Sequence, residues 1–138
     1  DSDDRSLYDF EFDRPHILNV LAGIELSDTW QLGVKFQYAS GSPYTPVDGV
    51  AIKNGTYVVV EGPLNSARYP AYHKLDVRLD KTFRFASWTL VAYIDLWNIY
   101  NRDNILSYNY TVDPAGKLMM TPRYDFGLLP VIGLSAKF

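Results

Sequence analysis

The chain has 138 residues, 47% hydrophobic and 15% aromatic, which fits one domain of ordinary size and excludes a disordered tail or a low-complexity linker. Its formal net charge is −3, from 13 Lys and Arg against 16 Asp and Glu spread along the sequence, so the clustered basic face of a nucleic-acid binder is missing and no nucleic-acid partner is expected. There is no Cys, hence no disulfide framework, thiolate metal site or Cys nucleophile, and with His16 and His73 as the two histidines neither a zinc site nor any other metal or cofactor is expected.

No stretch approaches the roughly 18 consecutive apolar residues of a transmembrane helix, and the mean hydropathy is slightly negative. A membrane β-barrel passes both tests unnoticed, because it alternates lipid-facing with lumen-facing residues. The opening Asp1-Ser2-Asp3-Asp4-Arg5-Ser6, with no initiator Met and no charged-then-apolar signal segment, reads as a mature or truncated form.

Helical periodicity is nearly absent, whereas alternation recurs in segments rich in Val, Ile, Leu, Tyr, Phe and Trp, so the chain reads as all-β. Leu18, Val20, Ala22, Ile24 and Leu26 share the first apolar face. After a tight turn at Ser27-Asp28-Thr29, Trp30, Leu32, Val34, Phe36 and Tyr38 share the second. A long loop follows, about 40–72, in which Asn54-Gly55 predicts a small hairpin of its own, since these residues readily take the two positive-φ positions of a type I′ turn. The third strand sets Leu75, Val77, Leu79, Phe83 and Phe85 against Lys74, Asp76, Arg78, Asp80, Thr82 and Arg84, with Lys81 interrupting the apolar face. Ala86-Ser87 leads to a fourth strand with Trp88, Leu90, Ala92, Ile94 and Leu96 on one face, expected to run on through Tyr108, Tyr110 and Val112. A second long loop covers about 101–123, with its tip at Asp113-Pro114-Ala115-Gly116-Lys117. The last strand is expected to return from Leu118 and to end on Ile132, Leu134, Ala136 and Phe138.

Alternation alone does not separate a soluble β-sandwich from a membrane sheet. Three features favour the membrane. Connections alternate short and long, as in outer-membrane barrels. Aromatics occur at two heights: Trp30, Phe85, Trp88 and Phe138 at the short-turn end, and Tyr38, Tyr100 and Tyr108 near the long loops. The run Trp30 to Tyr38, at ~3.3 Å per residue and ~40° tilt, rises roughly 20 Å, close to a ~25 Å apolar band. About five strands cannot close a barrel, for which about eight are the minimum, and hydrocarbon does not tolerate open edges. Further strands must come from the same polypeptide, from a separate chain or from copies of this one.

Phe12-Asp13-Arg14-Pro15-His16, Tyr38-Ala39-Ser40-Gly41-Ser42-Pro43-Tyr44-Thr45-Pro46, the run from Asn65 to Lys81, Asp95-Leu96-Trp97-Asn98-Ile99-Tyr100-Asn101 and the terminal Phe138 together resemble the C-terminal end of TonB-dependent outer-membrane receptors. The resemblance covers nearly all of residues 1–138. It implies the last strands of a barrel of about 22 strands occluded by an N-terminal plug. Such receptors sit in the bacterial cell outer membrane and import siderophores, cobalamin, glycans or peptides with energy from the TonB complex. The plug and the TonB-contacting segment have no counterpart in this sequence, so transport by the chain alone is not expected. Implied partners are outer-membrane lipid, the remaining strands and plug, the TonB complex through that plug, and the barrel-assembly machinery. The machinery's signal is matched by Gly133, Leu134, Ala136 and Phe138, while Val131 departs from the polar residue usual two places before the Gly.

The polar faces place Asp76, Arg78, Asp80, Arg84 and Asp95 in one charged patch, either ion pairs holding wall to plug or part of a substrate route. Trp30, Tyr38, Phe85, Trp88 and Tyr100 are candidate membrane-interface aromatics. Tyr44, Tyr57, Arg68 and Tyr69 in the first loop, with Tyr108, Tyr110 and Arg123 in the second, are candidate ligand contacts, because loops on rigid scaffolds commonly carry binding residues. Scattered carboxylates, no nucleophile elbow and no Gly-rich phosphate loop give no support for an enzyme. The competing expectation is a non-transporting structural or binding protein, as a strand-donating barrel subunit or a soluble β-sandwich module.

Overall fold

The computed structural model describes residues 10–138 and is all-β, with antiparallel sheets and no helix among the described residues. In chain order the strands are β1 (Ile17–Ser27), β2 (Trp30–Ala39), β3 (Pro43–Tyr44), β4 (Val47–Lys53), β5 (Thr56–Glu61), β6 (Ala67–Arg68), β7 (Tyr72–Arg84), β8 (Thr89–Trp97), β9 (Ile105–Val112), β10 (Leu118–Tyr124) and β11 (Leu129–Lys137). They divide into two compact units. The sheet unit comprises His16–Ala39, Tyr72–Asn104 and Phe126–Phe138; the loop unit comprises 10–15, Ser40–Ala71 and Ile105–Asp125.

The sheet unit is one open sheet of five strands in the order β1-β2-β7-β8-β11. Register follows the alternation, because a slip of one residue would turn every side chain to the other face. Ile24, Leu32, Leu79, Ile94 and Ile132 form one cross-strand row, and Ala22, Val34, Val77, Leu96 and Pro130 the next. The opposite face carries the rows Gly23, Gly33, Arg78, Asp95, Val131 and Glu25, Gln31, Asp80, Tyr93, Gly133. Lys81 keeps its place among the apolar residues by reaching to the rim, where Nζ donates to Thr29 Oγ1 at 2.8 Å and lies 4.7 Å from the Trp30 ring centroid.

Nothing within this unit covers either face. Across the described residues the buried side chains are Ala39, Pro43, Asp76, Asn98 and Asn104. On the edge strands, Leu18 is 51% exposed, Ile132 77% and Leu134 70%. A soluble domain of this length normally buries a contiguous apolar core, whereas this sheet is a single layer.

Two expectations from the sequence are corrected. The fourth strand does not run on through Tyr108, Tyr110 and Val112; β8 stops at Trp97 because Asn98 and Asn101 take positive φ, 51° and 53°, which closes a turn with Asn101 N–H donating to Asn98 O at 2.7 Å. The final strand likewise does not return from Leu118. That segment is β10, which pairs with β9 in a separate two-stranded sheet, and β11 begins afresh at Leu129.

The loop unit holds three small two-stranded sheets: β3 with β6, β4 with β5, and β9 with β10. The expected hairpin at Asn54-Gly55 joins β4 to β5 with φ of 51° and 78°. At the tip of the second loop, Asp113 Oδ1 accepts Ala115 and Lys117 N–H at 2.9 Å each, and Gly116 takes φ 82°.

Candidate functional site

The polar face of the sheet unit is built around a gap. Gly23 and Gly33 are register partners on β1 and β2, so two neighbouring positions lack side chains, and a groove of about 360 Å³ opens over them beside Glu25, Gln31, Arg78 and Asp80. A second groove, about 420 Å³, continues past Lys35, Lys74, Asp76, Asp95 and Trp97.

The charged side chains here largely engage one another. Arg78 donates to Asp80 through Nε at 2.7 Å and Nη2 at 3.2 Å, and its guanidinium lies 3.8 Å from the Tyr93 ring centroid. Lys74 Nζ is 3.2 Å from Asp76 Oδ2 and 5.4 Å from the Trp97 ring centroid. A guanidinium held by a two-oxygen fork and an aromatic face is fixed in place. Of the expected patch, Asp76, Arg78, Asp80 and Asp95 come together. Arg84 lies at the short-turn end of this face, where Nη2 donates to Asp28 O at 2.9 Å. Among the described residues no three His, Asp or Glu side chains are grouped to hold a metal ion.

At the other end, three asparagines fasten the strand ends. Asn98 N–H donates to Asp76 Oδ1 at 2.9 Å. The Asn98 amide donates to Arg102 O at 2.9 Å and Phe126 O at 3.1 Å, and its oxygen accepts Arg102 N–H at 3.0 Å. Asn104 pairs with the His73 backbone in both directions, at 3.1 and 2.9 Å, as a strand partner would. Asn101 Oδ1 accepts Leu128 N–H at 2.8 Å. Asn98 and Asn104 are 1% and 2% exposed, with their polar atoms satisfied. Sequence reasoning did not single them out as site residues; the signal was three Asn at intervals of three where an apolar strand ends.

The aromatics stand at two heights on the sheet unit. Phe85 stacks on Trp88 at 4.3 Å, and Trp88 on the terminal Phe138 at 5.8 Å. Trp30 lies toward the same end, two rows above them. At the opposite end, His73 sits 6.4 Å from Tyr38, and its Nδ1 is 2.7 Å from the Tyr100 hydroxyl. Of the C-terminal motif, Leu134 and Ala136 face Ala92 and Leu90 across the ladder, and Gly133 faces Tyr93.

Tyr108, expected with the girdle, belongs to the loop unit. There Tyr44, Tyr69 and Tyr108 form a triangle of rings: Tyr44 to Tyr69 at 4.4 Å and stacked, and Tyr108 at 5.4 Å from each. Gly41 makes this possible, since a Cβ there would collide with the Tyr69 carbonyl where the two backbones cross. Burial raises the pKa of the Tyr44 and Tyr69 phenols above the ordinary 10.0, helped at Tyr44 by the charge of and a hydrogen bond with Tyr110, and opposed at Tyr69 by a hydrogen bond with the Tyr108 backbone. A groove of about 630 Å³ runs along these rings past Tyr110. The other three loop candidates, Tyr57, Arg68 and Arg123, do not line it; Arg123 lies on β10 opposite Ser107. Tyr57 packs against Gly116, and Arg68 ties down the segment before β1, with Nη2 2.6 Å from Asp13 Oδ2 and Nη1 donating to Asp13 O and Gly41 O at 3.0 and 3.2 Å.

No protein-family model, curated protein or solved structure matches the chain.

Proposed function

We propose that this chain is the C-terminal wall of a TonB-dependent importer in a bacterial outer membrane, with β1, β2, β7, β8 and β11 crossing the bilayer and the loop unit outside the cell. The observation that carries the reading is the five-stranded sheet itself. It is a single layer with one face of apolar rows, a charged opposite face, aromatic ends and two edges, β1 and β11, that no strand pairs among the described residues. In water such a sheet lacks a core, whereas in a barrel wall the apolar face meets lipid, the charged face meets plug or water, and both edges are paired. Asp76, Arg78, Asp80 and Asp95 then line the lumen. Transport requires the plug and its energy coupling, which lie in the remainder of the assembly.

Purification from the native source in mild detergent, with mass spectrometry of all co-migrating polypeptides, tests this. The reading expects the chain joined to, or tightly held by, a larger β-rich polypeptide containing a plug. A separate plugless partner would favour a strand-donating subunit, and a monomer soluble without detergent would sink the membrane assignment.

A further inference from the structure

From the geometry of the tyrosine groove in the loop unit we infer that it binds a neutral carbohydrate, seated on Tyr44, Tyr69 and Tyr108. This names the substrate class of the importer proposed above and rests on that reading for the fate of the bound sugar.

The groove's volume, about 630 Å³, lies within the roughly 300–1,000 Å³ typical of small-ligand sites. Its rings are fixed before any ligand arrives, because they pack on one another at 4.4 to 5.4 Å. Rigid tyrosines give contact area at little entropic cost, and each carries a hydroxyl at its edge. The polar groups lining the rest of the groove, Thr45, Asn109, Thr111 and Glu61, offer the mixture of donors and acceptors that a polyol satisfies.

Charge decides between ligand classes. Among the described residues no Lys, Arg or His lines the groove, so an anionic ligand such as a ferric carboxylate complex finds no counter-charge from them. A cation would find Glu61 as counter-charge, but a quaternary ammonium ligand is held in a cage of several ring faces. Here Tyr44 and Tyr69 lie face to face at 25°, which closes the space between them. What is offered is ring surface flanked by hydroxyls and amides, which matches the C–H face and hydroxyl rim of a pyranose.

The test is direct binding to the complete detergent-purified protein, using an array of neutral oligosaccharides with choline and ferric citrate as cationic and anionic probes. At least one neutral oligosaccharide should bind. Its affinity should fall about tenfold in Tyr44→Ala and Tyr108→Ala, as for truncation of a central aromatic contact, and change little in Tyr108→Phe. Asn109→Ala, which leaves the rings intact, should also weaken binding and serves if the Ala variants of the rings misfold. No bound oligosaccharide, a preference for choline or ferric citrate, or binding indifferent to all these substitutions would overturn the inference. Because binding is read without transport, bound sugar with no membrane association would instead count against the importer reading alone.

Discussion

Tyr93 lies over Gly133 of the adjacent strand, so closely that a Cβ built on Gly133 would collide with the Tyr93 Cζ and hydroxyl. The glycine thus lets the ring settle on the sheet, where it supports the Arg78 guanidinium 3.8 Å from its centroid. Gly133→Ala should displace Tyr93 and cost about 1–3 kcal/mol, as overpacking does. In a Tyr93→Ser background the same change should be neutral or slightly stabilising, because the collision is gone and Ala restricts the unfolded chain. Heat-modifiability of the complete barrel on gels measures both, and an unchanged penalty in the Ser background would show that Gly133 serves something other than Tyr93.

Asn98 holds the end of β8. Asn98→Ala removes an amide satisfying Arg102 and Phe126 at a buried site while keeping a side chain at positive φ, and should cost about 2–4 kcal/mol. Asn98→Gly relieves the backbone and should cost less. Equal losses in urea unfolding would remove the backbone from the explanation.

The two faces should respond differently to charge. Ile94→Arg or Val34→Arg, in the middle rows of the apolar face, should cost about 2–4 kcal/mol in the membrane, whereas Gln37→Arg on the polar face should be tolerated. Similar effects at all three positions, read from assembled barrel in the outer membrane, would invert or erase the faces.

Alkaline pH should loosen the loop unit. Tyr44 and Tyr69 hold their protons more tightly folded than unfolded, so above the ordinary value of 10.0 the unfolded chain has lost protons that the folded one keeps, and stability falls as pH rises. Burial also raises the Tyr100 phenol, so phenolate absorbance should appear late for three of the described tyrosines in wild type and for two in Tyr44→Phe. Coincident titration of every tyrosine near 10.0 would contradict the burial of these phenols.

Much of the sheet was legible because period-two alternation in Leu18 to Leu26, Trp30 to Tyr38 and Leu75 to Phe85 fixes both strand and face. The ends of β8 and β11 were not, because alternation continues across the breaks: Tyr108, Tyr110 and Val112 keep the period after the Asn98 turn, and only the positive φ of Asn98 and Asn101 shows that the chain has left the sheet. In the candidate sites, the clustering of Asp76, Arg78, Asp80 and Asp95 follows from adjacent strands sharing a face. The convergence of Tyr44, Tyr69 and Tyr108 depends on loop crossings such as Gly41 beneath Tyr69, which no local pattern encodes. Arg68 looked like a ligand contact because its long-range partner, Asp13, is 55 residues away.

The central claim is that the apolar face of the five-stranded sheet meets lipid, and with no Cys among these 138 residues each face can be labelled at one introduced Cys, any Cys elsewhere in the polypeptide being replaced. Single spin labels at Leu32→Cys and Gln31→Cys, neighbours on opposite faces of β2, would be compared in the complete protein in bilayers. The account predicts that the label at 32 collides with dissolved oxygen and is shielded from a water-soluble nickel chelate, with the reverse at 31. Shielding of the label at 32 from both reagents, as in a soluble core, would contradict it.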